Sequence, residues 1–457
     1  MATTPKLTFA RRLAIAAGDF GFNLYWTTAS LFLLFFYTDV LKLPVQTAGL
    51  IYMIALVLDA AIDPLIGSVA DRTRTRFGRY RPYLIFGGPV MAVLFAALFL
   101  GPVWPAAGAA LIAGLSQIAF RIGYSVVSIP YTALFARVTR DSGERAELAG
   151  LRMVFATLSA VFISALTLYL AQHLGQGDAR RGWGLTAICY GGAAAVLFWL
   201  VAWGARGLDA VETEPAPPRD LRRDLGALGA NTPLLIVLGL FLVSQFANTF
   251  FQNNLIYYCK YVLGNANLAS AAFAVIALEL ALLVPLWAQV AKRFGKRFAW
   301  VCGSMFSLAG LIGLRLCIGQ PIQFQLIGLG VMNAGTAAHI VCLWAMLPDT
   351  VEFGEWRSKV RTESLIFGLV TLGQKAALGL SGWVLGLSLR GIGYVPNVMQ
   401  APATLHALVE LMFWPPLIGG VVGLVLVSFY RLDPKTHSDM VADIAAREAA
   451  ARLTASL

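Results

Sequence analysis

The sequence predicts an all-α membrane protein with twelve transmembrane helices in two pseudo-symmetric six-helix bundles. Three observations predict this class. Of the 457 residues, 58% are hydrophobic and 13% are charged, about half of the roughly 25% charged residues found in soluble domains. Twelve apolar segments approach or exceed the roughly 20 residues that a helix needs to cross a bilayer. Arginine and lysine are concentrated in alternate connections between these segments.

The apolar segments follow one another along nearly the whole chain. We predict spans at residues 13–37, 45–70, 83–103, 107–136, 147–172, 184–205, 233–259, 267–291, 298–318, 324–347, 363–389 and 403–430. Several spans contain glycine or proline, which membrane helices tolerate because neighbouring helices satisfy the freed backbone groups.

Basic residues mark the amino-terminal end and every second connection. The connection after the second span carries Arg72, Arg74, Arg76, Arg79 and Arg81. Because cytoplasmic loops are enriched in such residues, we expect both termini to be cytoplasmic, with the chain in the inner membrane of a bacterium. The net charge of +11 does not predict a nucleic-acid partner, because such a partner needs one continuous basic surface.

A polar connection and an internal repeat divide the chain. The stretch ETEPAPPRDLRRDLGALGANTP at 212–233 is rich in proline and charge. We therefore predict one bundle at 1–205, a cytoplasmic linker at 206–232, a second bundle at 233–432 and a cytoplasmic tail at 433–457, which forms a solvated helix. RFGR at 76–79 recurs as RFGK at 293–296, and FYTDVL at 36–41 has a counterpart in YCKYVL at 258–263. Transporters are commonly built from such repeats.

Two aspartates share one face of the second span. Asp59 and Asp63 are four residues apart in LDAAIDPLIG, so they project from the same side of a helix. Two close carboxylates in a dry site cannot both stay ionised without a positive charge between them. This predicts a site for a coupling cation, either a proton or Na⁺, for which carboxylate oxygens are suitable ligands. Alternatively, the acids pair structurally with a basic residue of another helix.

Basic residues also occur inside spans. Arg121, Arg152 and Lys375 lie within predicted helices, where an ionisable side chain costs roughly 2.5–3.5 kcal/mol on insertion scales. They are candidates for pairing with the acids or with a substrate. Arg152 could instead reach the cytoplasmic surface, since long basic side chains extend to the interface.

Polar residues in the first and seventh spans suit a sugar. Asp19, Asn23 and Trp26 belong to GDFGFNLYW, and a ring beside amides and charges can cover the apolar face of a pyranose and bind its hydroxyls. A polar stripe on the seventh span contains Gln245, Asn248 and Gln252; it could equally hold helices together. Glu279, His339 and Glu410 are lone intramembrane ionisable residues without an assigned role.

No enzyme motif occurs in the chain. A Walker loop, HExxH and GxSxG on a strand-to-helix turn are all absent from the sequence. We therefore expect a gradient-driven carrier that is not an enzyme. We also expect no cofactor besides the coupling cation, and a monomer in the lipid bilayer.

The chain resembles a family of cation-coupled sugar carriers. The residues that carry the resemblance are GDFGFNLYW, FYTDVL, LDAAIDPLIGSVADRTRTRFGRYRPYL, SIPYTAL at 128–134, LPDTVEFGEWRSKVRTES at 347–364 and LGQK at 372–375. They resemble the glycoside–pentoside–hexuronide:cation symporters of the major facilitator superfamily over roughly residues 10 to 430. The resemblance implies the major facilitator fold and symport of a sugar or glycoside by alternating access.

The resemblance also implies roles for single residues. Asp59 and Asp63 match the paired cation-site aspartates, while Arg152 and Lys375 match basic residues inside spans. Ser125 stands where the family has a ligating threonine. The predicted cation site is Asp59, Asp63 and Ser125; the predicted substrate-binding residues are Asp19, Asn23, Trp26, Arg121, Ser128, Thr132, Arg152, Asn248, Gln252 and Lys375.

Several positions depart from the family pattern. Asn23 and Ser128 replace sugar-binding aspartates, and Thr132 replaces a tryptophan of the sugar site. Ile62 replaces a ligating asparagine, which favours a proton over Na⁺ because a proton needs only a carboxylate. The lost acids leave an anionic sugar, a hexuronide or a sulfonated sugar, as an alternative substrate. A lipid carrier is a more remote alternative.

A gate is predicted at the cytoplasmic face. Arg72 and Arg79 are expected to form ion pairs with Asp349, Glu352 and Glu355. Alternatively, the basic connection only determines topology.

Overall fold

The protein is helical along nearly all of its described length. The computed structural model describes residues 7–100, 108–138, 142–208, 226, 228–359, 363–432 and 434–455. Its helices are α1 Phe9–Ala16, α2 Gly18–Phe35, α3 Val45–Arg72, α4 Arg81–Phe99, α5 Ala109–Arg137, α6 Ser142–Gly175, α7 Ala179–Gly204, α8 Thr232–Tyr257, α9 Asn267–Phe294, α10 Lys296–Leu316, α11 Ile322–Ser358, α12 Glu363–Gly391, α13 Pro402–Ser428 and α14 Pro434–Ala455. The first predicted span corresponds to α1 and α2 together, and the other eleven correspond to α3 through α13 in order. This agreement confirms the predicted fold class.

Eleven helices in the described part of the chain, α3 to α13, are long and apolar enough to cross a membrane. The first predicted span is more polar because Asp19 and Asn23 lie in the first two turns of α2. It is also divided, since α1 ends at Ala16 and α2 begins at Gly18. A membrane helix with polar side chains needs other helices to shield them from lipid. Accordingly, α2 buries most of its side chains.

Two π-helical turns occupy the two copies of the predicted repeat. One follows α2 at Phe36–Val40 and the other follows α8 at Tyr258–Val262. Each has five residues and is followed by a leucine, Leu41 or Leu263, whose backbone N–H bonds to the first residue of the turn. A π turn is a rare feature that often marks functional positions. Its presence in both copies supports the internal repeat.

Backbone contacts group the described residues into two compact units. The first contains the described residues of Met1–Glu214 together with Gln252–Leu278 and Gly382–Val409. The second contains the described residues of Pro215–Phe251, Glu279–Ser381 and Glu410–Leu457. The predicted boundaries of the bundles stay a prediction, and most of the predicted linker 206–232 lies outside the described residues.

The first unit has an aromatic core. Within it α4 packs against α5 and α7, and α2 packs against α6 and α7. The rings of Phe99 and Trp183 are stacked with their centroids 5.7 Å apart, and Phe95 lies 4.9 Å from Tyr25. Buried aromatic pairs contribute about 0.5–1.5 kcal/mol beyond the area that they bury. This core fixes α2 and α5, which carry most of the candidate site.

In the second unit, α10 and α11 approach each other along glycines. A Cβ atom on Gly310 would lie 2.1 Å from the backbone nitrogen of Met332, and one on Gly335 would lie 2.1 Å from the carbonyl oxygen of Gly303. Membrane helices associate through small residues because lipid provides no hydrophobic drive to bring them together. Only glycine fits this contact.

The carboxy-terminal helix α14 packs against α11. Trp356 Nε1 donates to Asp443 Oδ2 at 2.7 Å, and His437 contacts Glu352. Met440 is buried. The tail is therefore helical, as predicted, but one of its faces is covered by the protein and not by solvent, because Trp356 and Glu352 provide partners for it.

Candidate transport site

The predicted cation site is partly assembled by α3 and α5. Asp59 on α3 is 1% exposed, and its Oδ1 accepts a hydrogen bond from Ser125 Oγ on α5 at 2.7 Å. Asp63 lies one turn further along α3 and is half-buried. A buried carboxylate needs hydrogen bonds or a cation to offset its lost hydration. The structure thus brings Asp59 and Ser125 into contact, and their role in binding a cation stays a prediction.

Asp19 and Arg152 were both predicted to bind the substrate, and the structure pairs them with each other. Arg152 on α6 donates from Nε to Asp19 Oδ2 and from Nη2 to Oδ1 at 2.9 Å. Tyr131 Oη donates to Asp19 Oδ2 at 2.7 Å, and the guanidinium lies 5.2 Å from the Tyr131 ring. The Asp19 side chain is 16% exposed and the Arg152 side chain is 25% exposed. Arg152 therefore has an acidic partner on α2 within the first unit.

The other predicted ligands on α2 are arranged along one side. Asn23 Nδ2 donates to the Asp19 carbonyl oxygen at 2.8 Å, and its Oδ1 accepts from Thr27. The Trp26 ring lies 5.6 Å from that of Tyr124. Both Asn23 and Trp26 are half-buried, so a polar amide and an aromatic face are available to a ligand.

On α5 the predicted residues differ in exposure. Arg121 is fully buried, with its guanidinium 4.9 Å from the Trp26 ring. Ser128 is half-buried. Thr132 is exposed, and its hydroxyl donates to the Ser128 carbonyl oxygen at 3.0 Å. A threonine hydroxyl often bonds the carbonyl oxygen four residues earlier in its own helix, so the Thr132 hydroxyl has a partner within α5 in this structure.

Two predicted ligands lie in the second unit. Asn248 lines a cavity of about 100 Å³ together with Gln245, Trp300 and His339. Lys375 on α12 is 8% exposed. Gln252 follows Asn248 by one turn and is half-buried; it belongs to the first unit.

The predicted gating acids have partners within the second unit. Lys296 Nζ lies 2.6 Å from both carboxylate oxygens of Asp349, and His437 lies between Asp349 and Glu352. Glu355 is half-buried on the same helix. Burial of Tyr430, together with the nearby Asp349 carboxylate, raises the pKa of the Tyr430 hydroxyl. The pairing predicted with the basic connection stays a prediction.

The two arginines of the predicted cytoplasmic gate are more exposed than Asp349, their predicted partner, which is buried. Arg72 is exposed, and the half-buried Arg79 holds its guanidinium 5.5 Å from the Tyr80 ring.

The three unassigned ionisable residues each have a partner in the second unit. Asn333 Nδ2 donates to Glu279 at 3.1 Å, His339 Nε2 lies 2.9 Å from Ser304 Oγ, and Arg315 donates to Glu410 at 2.7 Å. These contacts hold helices together.

One cluster was missed by the sequence reasoning. Asp39, in the first π turn, accepts from Lys260 at 2.6 Å, from Tyr261 at 2.5 Å and from Tyr394 at 2.7 Å. Its side chain is 1% exposed. Burial and the Asp39 carboxylate raise the pKa of Tyr394, which therefore stays a donor. Opposite charges at nearby positions of the two repeat copies were the signal that could have revealed it.

A cavity adjoins the Asp39 cluster, and a pair of hydrogen-bonded amides, Gln172 and Asn267, lies at its edge. It has a volume of about 380 Å³ and is lined by Asp39, Lys260, Gln172 and Trp183, among others. The amides of Gln172 and Asn267 exchange two hydrogen bonds of 3.0 and 3.2 Å.

Within the described residues, eleven helices are long and apolar enough to cross a membrane, and the pair Asp19–Arg152 lies among helices of the first unit. This arrangement is that of a multi-pass membrane transporter of the major facilitator fold. Solved structures agree in fold. The D-xylose–proton symporter superposes with a TM-score of 0.67 at 16% identity, covering 94% of this chain and 99% of that one. A bacterial homologue of the human lysosomal transporter Spinster gives 0.67 at 15% identity, covering 94% and 97%.

The chain belongs to the family of MFS/sugar transport proteins, whose model matches residues 14–434. This confirms the resemblance noted from the motifs and shows that the protein is a transporter and not an enzyme. An uncharacterized symporter of Bacillus subtilis, YnaJ, is 30% identical and covers 97% of this chain and 96% of its own length. The isoprimeverose transporter of Lactiplantibacillus pentosus is 29% identical (96% and 92%). A putative sulfoquinovose importer of Escherichia coli is 28% identical (97% and 95%).

Proposed function

We propose that the protein carries a sugar or glycoside across the bacterial inner membrane in symport with a cation, by alternating access. It works as a monomer with cytoplasmic termini and needs no cofactor other than the coupling cation. Relatives described as an isoprimeverose transporter and a putative sulfoquinovose importer support a sugar substrate.

One observation carries the coupling. Asp59 is almost completely buried and bonded to Ser125, and Asp63 follows it by one turn. Two carboxylates one helical turn apart repel each other, so a positive ion between them is attracted by both.

The oxygen atoms present favour a proton over Na⁺. Asp59, Asp63 and Ser125 supply oxygens, whereas Ile62 supplies none from its side chain. Na⁺ is a hard ion that needs several oxygen ligands, whereas a proton needs one carboxylate. We therefore favour proton coupling.

Helix α5 links the cation to the substrate. Ser125 contacts Asp59, and the same helix carries Arg121 one turn before it and Ser128 three residues after it. A shift of α5 on cation binding thus reaches predicted sugar ligands directly. By linkage the substrate must affect cation affinity equally.

Uptake into proteoliposomes tests the proposal. A panel of radiolabelled sugars and glycosides is offered with an inward proton gradient, an inward Na⁺ gradient or no gradient. We expect accumulation above equilibrium with the proton gradient, and its loss in Asp59→Asn. The matched control Asp439→Asn, which removes an exposed carboxylate of α14, should accumulate normally. Accumulation driven only by Na⁺ would overturn the proton preference; accumulation by Asp59→Asn would overturn the cation site.

A further inference from the structure

Two carboxylates and an imidazole meet where the carboxy-terminal helix α14 packs against α11. Asp349 and Glu352 are three residues apart on α11 and therefore share one face of it. His437 lies near the start of α14. One ligand atom from each of the three side chains lies within 4.8 Å of the other two. We call Asp349, Glu352 and His437 the His437 site.

The imidazole presents one nitrogen to both carboxylates. His437 Nε2 contacts Glu352 Oε2 and lies 3.5 Å from Asp349 Oδ1. Three electronegative atoms this close need a positive atom among them, either a proton on Nε2 or a metal ion. A proton on Nε2 forms a hydrogen bond to one carboxylate. A metal ion binds both carboxylates and the imidazole nitrogen together, so it serves all three side chains.

The spacing suits a small divalent ion. Zn²⁺ binds imidazole nitrogen and carboxylate oxygen at about 2.0–2.2 Å, and the ligand atoms of a tetrahedral site therefore lie about 3.4 Å apart. The 3.5 Å between Asp349 Oδ1 and His437 Nε2 matches this spacing. Glu352 contacts the imidazole, and a rotation of its side chain makes room for an ion while its carboxylate stays within reach. Three protein ligands leave the fourth position to water.

Neighbouring side chains hold Asp349 in place. Lys296 Nζ on α10 lies 2.6 Å from both of its carboxylate oxygens, and Tyr430 Oη donates to Oδ2 at 3.3 Å. Each carboxylate oxygen has two lone pairs, so Oδ1 keeps one for an ion. Carboxylates that bind metals are commonly oriented by such outer hydrogen bonds. Because Asp349 and Glu352 together outnumber Lys296, one negative charge remains to attract a cation.

The His437 site is built on packed helices and is open on one side. The Asp349 side chain is 8% exposed, whereas those of Glu352 and His437 are 32% and 31% exposed. Met440, three residues after His437 on α14, is buried. Contacts outside the site thus keep α14 on α11, and an ion can enter from the exposed side.

We propose that the His437 site binds a divalent transition-metal ion, with Zn²⁺ the best match, and that this ion fastens α14 to α11. An imidazole beside carboxylates suits Zn²⁺, whereas Mg²⁺ and Ca²⁺ prefer oxygen ligands alone. The His437 site shares no residue with the proposed coupling-cation site at Asp59 and Asp63, and the role of its ion is structural. This inference does not depend on the proposed sugar symport.

Metal binding by the purified full-length protein, without an affinity tag, tests the proposal. The protein in detergent is stripped with a chelator, and Zn²⁺, Mg²⁺ and Ca²⁺ are titrated separately by calorimetry. We expect one Zn²⁺ per chain and a higher thermal unfolding midpoint with Zn²⁺, and neither effect with Mg²⁺ or Ca²⁺. Co²⁺ in place of Zn²⁺ should give d–d absorption without a thiolate charge-transfer band, since the five cysteines of the chain are the alternative ligands.

Variants then locate the ion. His437→Ala and Glu352→Gln should each weaken Zn²⁺ binding at least tenfold and remove the Zn²⁺-dependent rise of the unfolding midpoint. His173→Ala, which removes an exposed histidine of α6, is the matched control and should bind Zn²⁺ like the unaltered protein. The unfolding midpoint of each variant without metal shows whether it is folded.

Three results would overturn the proposal. The first is no Zn²⁺ binding by the unaltered protein, or binding that is undiminished in both variants of the His437 site. The second is equal binding of Mg²⁺, which contradicts a transition-metal site. The third is a thiolate band with Co²⁺, which moves the ion to cysteine. None of these measurements involves transport, so each of them leaves the proposed symport as it stands.

Discussion

Arg152 on α6 holds Asp19 on α2 through two hydrogen bonds, although 133 residues separate them in the chain. Tyr131 adds a third bond to the same carboxylate. Asp19 therefore cannot bind a sugar hydroxyl with all of its lone pairs in this conformation. Its availability to a substrate depends on how far Arg152 releases it.

The Asp19–Arg152 pair should be energetically coupled. Asp19→Asn and Arg152→Gln each leave a largely buried partner unsatisfied, and the double variant leaves no charge. We expect the sum of the two single losses in the free energy of unfolding to exceed the loss in the double variant. The difference, which is the coupling energy, should be roughly 1–3 kcal/mol. Thermal unfolding of the four proteins in detergent measures the cycle. Additive losses would show that the pair contributes nothing.

The Ser125 hydroxyl should stabilise the contact between α3 and α5. It donates to the buried Asp59 carboxylate at 2.7 Å, and a buried acceptor that loses its donor costs about 1–3 kcal/mol. Ser125→Ala should therefore lower the free energy of unfolding by about that amount, which thermal unfolding in detergent measures. Ser116→Ala removes a hydroxyl that bonds only its own helix and should lower it less; equal losses for the two variants would contradict the prediction.

The Asp39 cluster should stabilise the first unit. Asp39→Asn removes the charge that Lys260 and two tyrosines bind. We expect a loss of stability at the lower end of the roughly 3–5 kcal/mol that breaking a buried pair costs, because Lys260 is 24% exposed. Thermal unfolding measures the loss. Lys42→Gln removes an exposed charge close to the same π turn and should leave the midpoint unchanged.

The glycine contact between α10 and α11 should not tolerate a side chain. Gly335→Val would place its Cβ about 2.1 Å from the Gly303 carbonyl oxygen and should cost at least the roughly 1–3 kcal/mol of an overpacked core. Gly313→Ala is the control, since its Cβ would meet its nearest neighbour at 4.0 Å. Equal melting temperatures for the two variants would contradict the contact.

The sequence allowed the fold class and the eleven long apolar helices α3 to α13 to be predicted, because a bilayer demands apolar helices of a minimum length. It also identified the positions where charge lies inside a span, since each carries an insertion cost. Asp59 with Ser125 came from the resemblance. The predicted roles of the individual site residues, including these two, stay predictions.

The sequence could not show which charged side chains pair with each other. Asp19 and Arg152 were both assigned to the substrate, because nothing in a linear chain shows that α2 lies against α6. Gln117 passed unnoticed, since one amide in a span is ordinary. The structure buries its side chain without a hydrogen bond to any described residue. Such a property exists only once helices are packed.

The two π turns complement each other. Asp39 and Tyr261 occupy equivalent places in turns 222 residues apart, and they bond to each other. Two aspartates at these places would repel each other. Two tyrosines would leave Lys260 without the carboxylate that it binds. The contact therefore depends on the difference between the two copies of the repeat.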